Sequence, residues 1–232
     1  MTHPPSPVPL PLVFENIPLA RSGAPPFSLE VPERQTIAVL GDEESGIGNL
    51  GGYALGLEHP GAGRALVFGT SIAALPERER LAYRRRVGYL PAGDGLLQNL
   101  SIRDNVALPL RFGSGASPRD IDGRVNVMLA AMRLSAVATR RPAQANEEER
   151  RRAALARAIA FDPSLLILEQ PFDGLTARVS SELLEFARGG ESAEGARRTI
   201  LITGQEVPPL ILRRVDHVFR LTRAGVLEPE TV

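Results

Sequence analysis

The chain has no cysteine and no tryptophan, and each of its 27 basic residues is an arginine, so there is no lysine either. Without cysteine there are no disulfides, zinc–thiolate centres or thiol nucleophiles. Without lysine, no chemistry that needs a lysine side chain can be drawn from this chain. Net charge is also missing: 27 acidic residues balance the 27 basic ones. Nothing in the bulk electrostatics therefore asks for nucleic acid or an anionic membrane. Long apolar runs are absent too. LLIL at 165–168 and TILIT at 199–203 are strand-sized, far short of the roughly 20 residues a bilayer span needs. The N-terminal MTHPPSPVPLPLVF has neither a basic start nor a continuous apolar stretch, so residues 1–10 are expected to be a flexible proline-rich tail and not a signal peptide. Any work at a membrane is expected to go through a partner.

With 232 residues, 43% of them hydrophobic, the chain can bury the core of one large domain or two closely packed lobes. The alternation of strand and helix patterns predicts an α/β fold with a largely parallel buried sheet. QTIAVLG (35–41), ALVFG (65–69), RVGYL (86–90), SLLILEQ (164–170) and TILITG (199–204) read as strands. HVFRLTRAGVLE (217–228) reads as a hairpin turning at Ala224-Gly225. After Ser117-Pro118, an N-cap and first-turn pair, Ile121, Val125, Met128, Leu129 and Met132 recur at helical spacing and mark one packing face. A second helix is expected over about 147–160.

Strand, glycine loop, helical insert, charged helix, LLILEQPFDGL and TILITG follow one another in an order that resembles the nucleotide-binding domain of ABC transporters over nearly the whole chain. RRRAALARAIAFDPSLLILEQPFDGL (150–175) carries the resemblance best; in that family it would be the helix after the signature motif, the Walker B strand and the D-loop. The resemblance implies a P-loop NTPase fold with a RecA-like core, a small antiparallel β subdomain and a helical subdomain. Core and β lobe would cover about 11–91 and 162–232, and the helical subdomain about 92–161. Within the family, SGIG, RRAALARAIA and EVPPLILRRVDHVFRL look most like the ATPase subunit of MCE-type phospholipid transporters.

The positions that would do chemistry depart from the family pattern. A Walker A loop, G-x4-G-K-[ST], binds phosphate with its backbone N–H groups, its lysine and its hydroxyl. Here VLGDEESGIGNLGG (39–52) puts Gly41 and Gly46 at the two glycines, Ile47 at the lysine and Gly48 at the hydroxyl; a shifted frame puts Asn49 at the lysine. Gly41, Ser45, Gly46, Gly48 and Asn49 are thus vestigial phosphate-loop positions. Asp42, Glu43 and Glu44 sit in the loop's mouth. Unless they point into solvent, a carboxylate about 5 Å from a phosphate oxygen costs ~3 kcal/mol at an effective dielectric near 20. The signature motif is replaced by Asn146, Glu147, Glu148 and Glu149, a good helix start in which the chain's own acids stand where the anion would be. Two supporting pairs, Glu147–Arg151 and Glu148–Arg152, are expected four residues apart. Walker B ends in Glu169-Gln170 in place of Asp-Glu, the Q-loop glutamine is Ala92, the D-loop aspartate Thr176, the switch histidine Gly204, and the adenine-stacking aromatic falls near Arg21.

These substitutions predict a pseudo-ATPase: an ABC-type subunit with little or no hydrolysis, acting as scaffold or regulator. The alternatives are a working ATP-binding subunit whose partner supplies the missing groups, and a soluble interaction or sensing module on the same fold. No cofactor and no metal are expected, with ATP and Mg²⁺ entering only under the first alternative. The resemblance implies a transmembrane permease or a second ABC-type ATPase subunit as partner, no nucleic acid, and a cytoplasmic place, peripheral on the inner membrane. Leu96, Leu97, Asn99 and Asn105, within GLLQNLSIRDNVALPLRFG (95–113), are expected to face the permease.

Overall fold

The computed structural model describes residues 9–19, 24–189, 197–222 and 224–230. Most of the proline-rich tail, and Arg21, lie outside these residues. Two sheets organise the chain. Strands β1 (Leu12–Ile17), β2 (Phe27–Val31) and β4 (Arg64–Val67) form an antiparallel sheet in the order β2-β1-β4. Strands β3 (Thr36–Leu40), β5 (Val87–Leu90), β6 (Leu165–Glu169), β7 (Thr199–Gly204), β8 (His217–Leu221) and β9 (Leu227–Pro229) form the second, ordered β5-β6-β7-β3-β8-β9. That sheet is parallel apart from the β8–β9 hairpin.

Strands of the parallel sheet alternate between two hydrophobic clusters. Ala38, Leu166, Leu168, Ile200 and Ile202 face one, with the long helices. Ile37, Val39, Leu165, Ile167 and Leu201 face the other, with the antiparallel sheet. A strand covered on both sides has no polar face, and so TIAVL, LLIL and TILIT read as unbroken apolar runs. Each of the five expected strands is present, but ALVFG belongs to the antiparallel sheet, as β4, and not to the parallel one.

The helices are α1 (Leu50–Ala54), α2 (Glu77–Arg84), α3 (Ile102–Gly113), α4 (Pro118–Ala131), α5 (Glu147–Ala158), α6 (Ala177–Arg188) and α7 (Pro209–Leu212). Helix α4 starts as its sequence predicts, with the Ser117 hydroxyl accepting from the Asp120 amide, and buries Ile121, Val125 and Leu129. Helices α3, α4 and α5 pack on one another. Pro109 lies inside α3; it removes one backbone N–H, but burial of Val106 and Leu110 outweighs that loss.

The permease-facing expectation needs correction at two of its four residues. Leu97 and Asn99 are exposed, but Leu96 is buried in the core and Asn105 is fully buried. The Asn105 side chain folds the preceding loop back on α3. Its Oδ1 accepts from Leu97 N–H at 2.7 Å, and its Nδ2 donates to the carbonyls of Leu97 and Ser101, both at 3.0 Å. A buried amide with that many partners is a clamp, not a docking residue. Asn105→Leu is expected to cost about 2–3 kcal/mol, because the loop's amide and carbonyls lose their partners. Urea unfolding measures it, and a cost under about half a kcal/mol would show that the clamp contributes nothing.

Candidate functional site

The sequence order of β3, β6 and β7 scatters their ends along the chain, yet in the parallel sheet their C-terminal ends lie side by side. That arrangement gathers the catalytic-position equivalents. A cavity of about 140 Å³ is lined by Gly41, Asp42, Ile47, Gly48, Ala92 and Glu169, together with Gln170, Thr203, Gly204 and Gln205. Five positions read from sequence as degenerate catalytic equivalents, Ile47, Ala92, Glu169, Gln170 and Gly204, thus share one cavity. Thr203 and Gln205 were not singled out by sequence; only their adjacency to Gly204 marks them.

The glycine loop closes on itself. After β3, residues 43–45 and 47–49 make two 3-10 turns before α1 begins. The Ser45 hydroxyl donates to the Asp42 carbonyl at 2.5 Å and accepts from Ile47 N–H at 3.4 Å. One amide that could hold a phosphate is therefore taken by the loop's own side chain. Ile47 is 5% exposed and packs into the cluster beneath the antiparallel sheet. Gly48 and Asn49 are exposed, Gly46 turns the chain at a φ of 82°, and Gly41 N–H donates to the Gly204 carbonyl at 3.0 Å. Of the three acids, Asp42 lines the cavity and Glu44 is exposed; the Glu43 side chain lies outside the described residues.

Glu169 closes the cavity floor at the end of β6. It is 6% exposed. Its Oε2 accepts from Ala92 N–H at 3.2 Å, and its Oε1 lies beside Gly51 and the Tyr89 ring. The longer carboxylate fits because α1 has a glycine opposite: a Cβ on Gly51 would lie 2.5 Å from Oε1 and 2.6 Å from the Tyr89 ring. Burial pushes the Glu169 carboxyl above the ordinary carboxylate range, more than hydrogen bonds from the Tyr89 hydroxyl and the Ala92 and Gly51 amides pull it back, and the Glu58 charge adds to the rise. Burial, with the Glu169 charge beside it, likewise raises the Tyr89 phenol. Gln170, at a φ of 46°, donates its N–H to the Thr203 carbonyl at 2.7 Å.

The 146–149 turn lies outside this cavity's lining and is a helix start. Asn146 Oδ1 accepts from Glu149 N–H, and a Glu149 carboxylate oxygen accepts from Asn146 N–H, both at 2.8 Å. This reciprocal cap satisfies the first-turn amides from within the chain. Glu148 pairs with Arg152 at 2.9 Å, as expected; Arg152 is 2% exposed and also binds Glu182 at 2.6 Å. The other expected pair, Glu147–Arg151, does not form. Glu147 instead lies against the D-loop turn, where a Cβ on Gly174 would meet its Oε1 at 2.3 Å. Arg151 is buried, and its charge opposes the burial-driven rise of the Asp173 carboxyl. Thr176, at the D-loop aspartate position, caps α6 by accepting from Val179 N–H at 3.4 Å.

The ABC transporter family model matches residues 25–173. This chain belongs to the ABC transporter family. It is 30% identical over 204 residues to the methionine import ATP-binding protein MetN 2 of Pseudomonas aeruginosa, spanning 88% of this chain and 60% of that protein. It is 34% identical over 169 residues to the sulfate/thiosulfate import ATP-binding protein CysA of Salmonella typhi, spanning 70% of this chain and 44% of that one. The chain thus spans about half the length of these curated relatives. A solved post-hydrolysis dimer of the ATP-binding cassette MJ0796, bound to ADP and Pi, superposes with a TM-score of 0.81 at 20% identity, covering 95% of this chain and 98% of that one. The fold is the P-loop ABC ATPase fold, with an antiparallel β subdomain beside the parallel core. Among the described residues, no helix is long and apolar enough to cross a membrane.

ATP with Mg²⁺ is the ligand the family implies, and the residues present do not fit it. No ammonium or hydroxyl side chain stands at 47 or 48, the Ile47 amide is taken, and an acid lines the cavity at 42. The 140 Å³ space is also well under the ~300 Å³ at which small-molecule pockets begin.

The buried carboxyl makes stability pH-dependent. In the unfolded chain Glu169 ionises near ~4.3, whereas in the folded chain it holds its proton to higher pH. Stability is therefore lost as pH rises between the two values. Glu169→Gln keeps an acceptor for Ala92 N–H and removes the charge. Its melting temperature is expected to exceed the parent's at pH 7.5, with the gain vanishing toward pH 4; a pH-independent difference would contradict the assignment. Separately, Asn146→Ala is expected to cost about 1 kcal/mol in chemical denaturation through loss of the cap.

Proposed function

We propose that this chain is a degenerate ABC-type subunit, a pseudo-ATPase that serves a membrane transporter as scaffold or regulator. The supporting observation is that one cavity collects Ile47, Ala92, Glu169, Gln170 and Gly204 with no cation among them and an amide at 170. At Gln170 an amide, without basicity, stands where the attacking water would be polarised. At the 146–149 turn, three glutamates stand where a partner's terminal phosphate would be gripped. Damage on both halves weakens any ATP-driven closed pair containing this chain, even with an intact partner.

A second surface supports the permease as partner. A groove of about 310 Å³ runs between α2, α3 and α5, with Leu81, Pro109, Phe112, Phe161, Arg85 and Arg157 in its walls. Phe112 is 85% exposed and Leu81 55%, a pairing of large apolar groups that exposed surface rarely carries without a partner. The 95–113 segment thus offers its far end to a partner, while Leu96 and Asn105 hold its near end in the core. The division into core, β lobe and a helical part at about 92–161 belongs to the same proposal, as does a place on the cytoplasmic side of the inner membrane. The named relatives serve methionine and sulfate/thiosulfate import, and the SGIG and RRAALARAIA stretches suggest MCE-type lipid transport. Cargo would be set by the permease, so the proteins that co-purify with this chain from membranes decide among these.

Two experiments test the reading. Mg²⁺-dependent ATP binding in the micromolar range would favour a working subunit whose partner completes the site; no measurable binding is expected. Ile47→Lys alone is expected to restore no hydrolysis, because Glu169-Gln170 and the 146–149 turn stay unchanged. Vigorous turnover by that variant in a coupled phosphate-release assay would overturn the proposal.

A further inference from the structure

The groove between α2, α3 and α5 holds positive charge that nothing in its walls balances. Arg84, Arg85 and Arg157 line it, and no acidic residue does. Arg84 donates to the carbonyls of Leu55 and Gly56, at 3.1 and 3.4 Å, and Arg157 to those of Gly95 and Asp94, at 2.7 and 3.1 Å. A carbonyl satisfies a donor but leaves the guanidinium charge standing. The Asp94 carboxylate is engaged by Arg150 at 3.3 Å, and burial holds the Arg157 guanidinium below its ordinary range despite the Asp94 charge. Arg85 is exposed and meets a ring, its guanidinium carbon 5.9 Å from the Phe161 centroid. Around these charges the walls are apolar. A Cβ on Gly113 would stand 2.5 Å from the Phe161 ring, so α3 ends in glycine where that ring lies. Leu81 on α2 and Phe112 on α3 are both exposed beside it.

We propose that this groove binds a small amphiphilic carboxylate, its head on Arg85 and its alkyl body against Leu81, Phe112 and Phe161. A guanidinium presents paired N–H donors that match the two oxygens of a carboxylate. Small-molecule sites have mostly apolar walls with a few fixed polar groups, and about 310 Å³ reaches the ~300 Å³ at which such pockets begin. An inorganic anion gains nothing from the apolar walls. A neutral or cationic amphiphile leaves the three guanidinium charges unanswered. The ligand would fill walls that the proposed function gives to a permease, and so would compete with docking. The inference goes beyond that reading and does not depend on the loss of ATP chemistry.

The test is an amide-resolved NMR titration of the full chain with octanoate, against octylammonium, octanol and acetate at equal ionic strength and below micelle formation. Saturable shifts are expected with octanoate around Leu81, Val87, Phe112 and Phe161. Octylammonium and octanol, with the same tail, are expected to bind about tenfold more weakly or worse, and acetate, with the same head, not to saturate. Arg85→Gln is expected to weaken octanoate by about tenfold and leave octanol unchanged, a split that a general loss of structure would not produce. Phe112→Ser is expected to weaken octanoate and octanol alike; both side chains are exposed, so both variants are expected to keep a dispersed spectrum. Octylammonium binding as tightly as octanoate, octanoate affinity unchanged in either variant, or no saturable shift, which leaves the groove to a protein partner, would overturn the inference. The proposed function survives each of those results. Mg²⁺-dependent ATP binding would overturn the proposed function and leave this inference standing.

Discussion

Burial of the central sheet on both faces is the constraint on which the rest depends. Every residue of β3, β6 and β7 is buried, so neither face can carry a polar side chain without a partner, and polar chemistry is pushed to the strand ends. In a parallel sheet the C-terminal ends share one edge, and the loops leaving them converge there. The cavity follows from that geometry whether or not it binds a nucleotide. Packing and chemistry are separable in this fold, and this chain keeps the packing.

At that edge the chain satisfies its own polar groups. In the glycine loop, the Ser45 hydroxyl takes the Ile47 amide. In the 146–149 turn, Asn146 and Glu149 cap each other's amides. Amides at a loop or helix start are the natural seat for an anion. In both places the oxygen that occupies the seat belongs to this protein. The carboxylate of Glu169 is buried at the same edge, beside Gly51 and the Tyr89 ring.

Much of this was legible as pattern. The apolar runs of β3, β6 and β7 show strands because two-faced burial leaves no alternation to confuse with a helix. Ser117 and Asn146 mark helix starts because capping is a local interaction between residues three apart. Helix α3 was hidden by Pro109, whose local signal is that of a breaker, and β1 and β2 were hidden because their pairing with β4 is long-range. Asn105 was expected to dock because it lies in the 95–113 segment that the family resemblance turns toward a permease. Only the folded loop shows that its amide is consumed by Leu97 and Ser101. Glu147 failed as a partner for Arg151 for a similar reason: the D-loop turn at Gly174 comes from elsewhere in the chain and draws the side chain aside.

The sequence by itself determined which groups are missing. No folding can supply an ammonium group, a thiol or a histidine at 204 where the residue type does not provide one. It also determined the strands and caps, whose causes act within a few residues. The tertiary structure alone decided which of the surviving groups meet. Ala92 and Glu169 stand 77 residues apart, and Gly51 makes room for the Glu169 carboxylate only because α1 crosses the end of β6. Whether an acid is solvated or stranded depends on such long-range approach, and composition and spacing do not encode it.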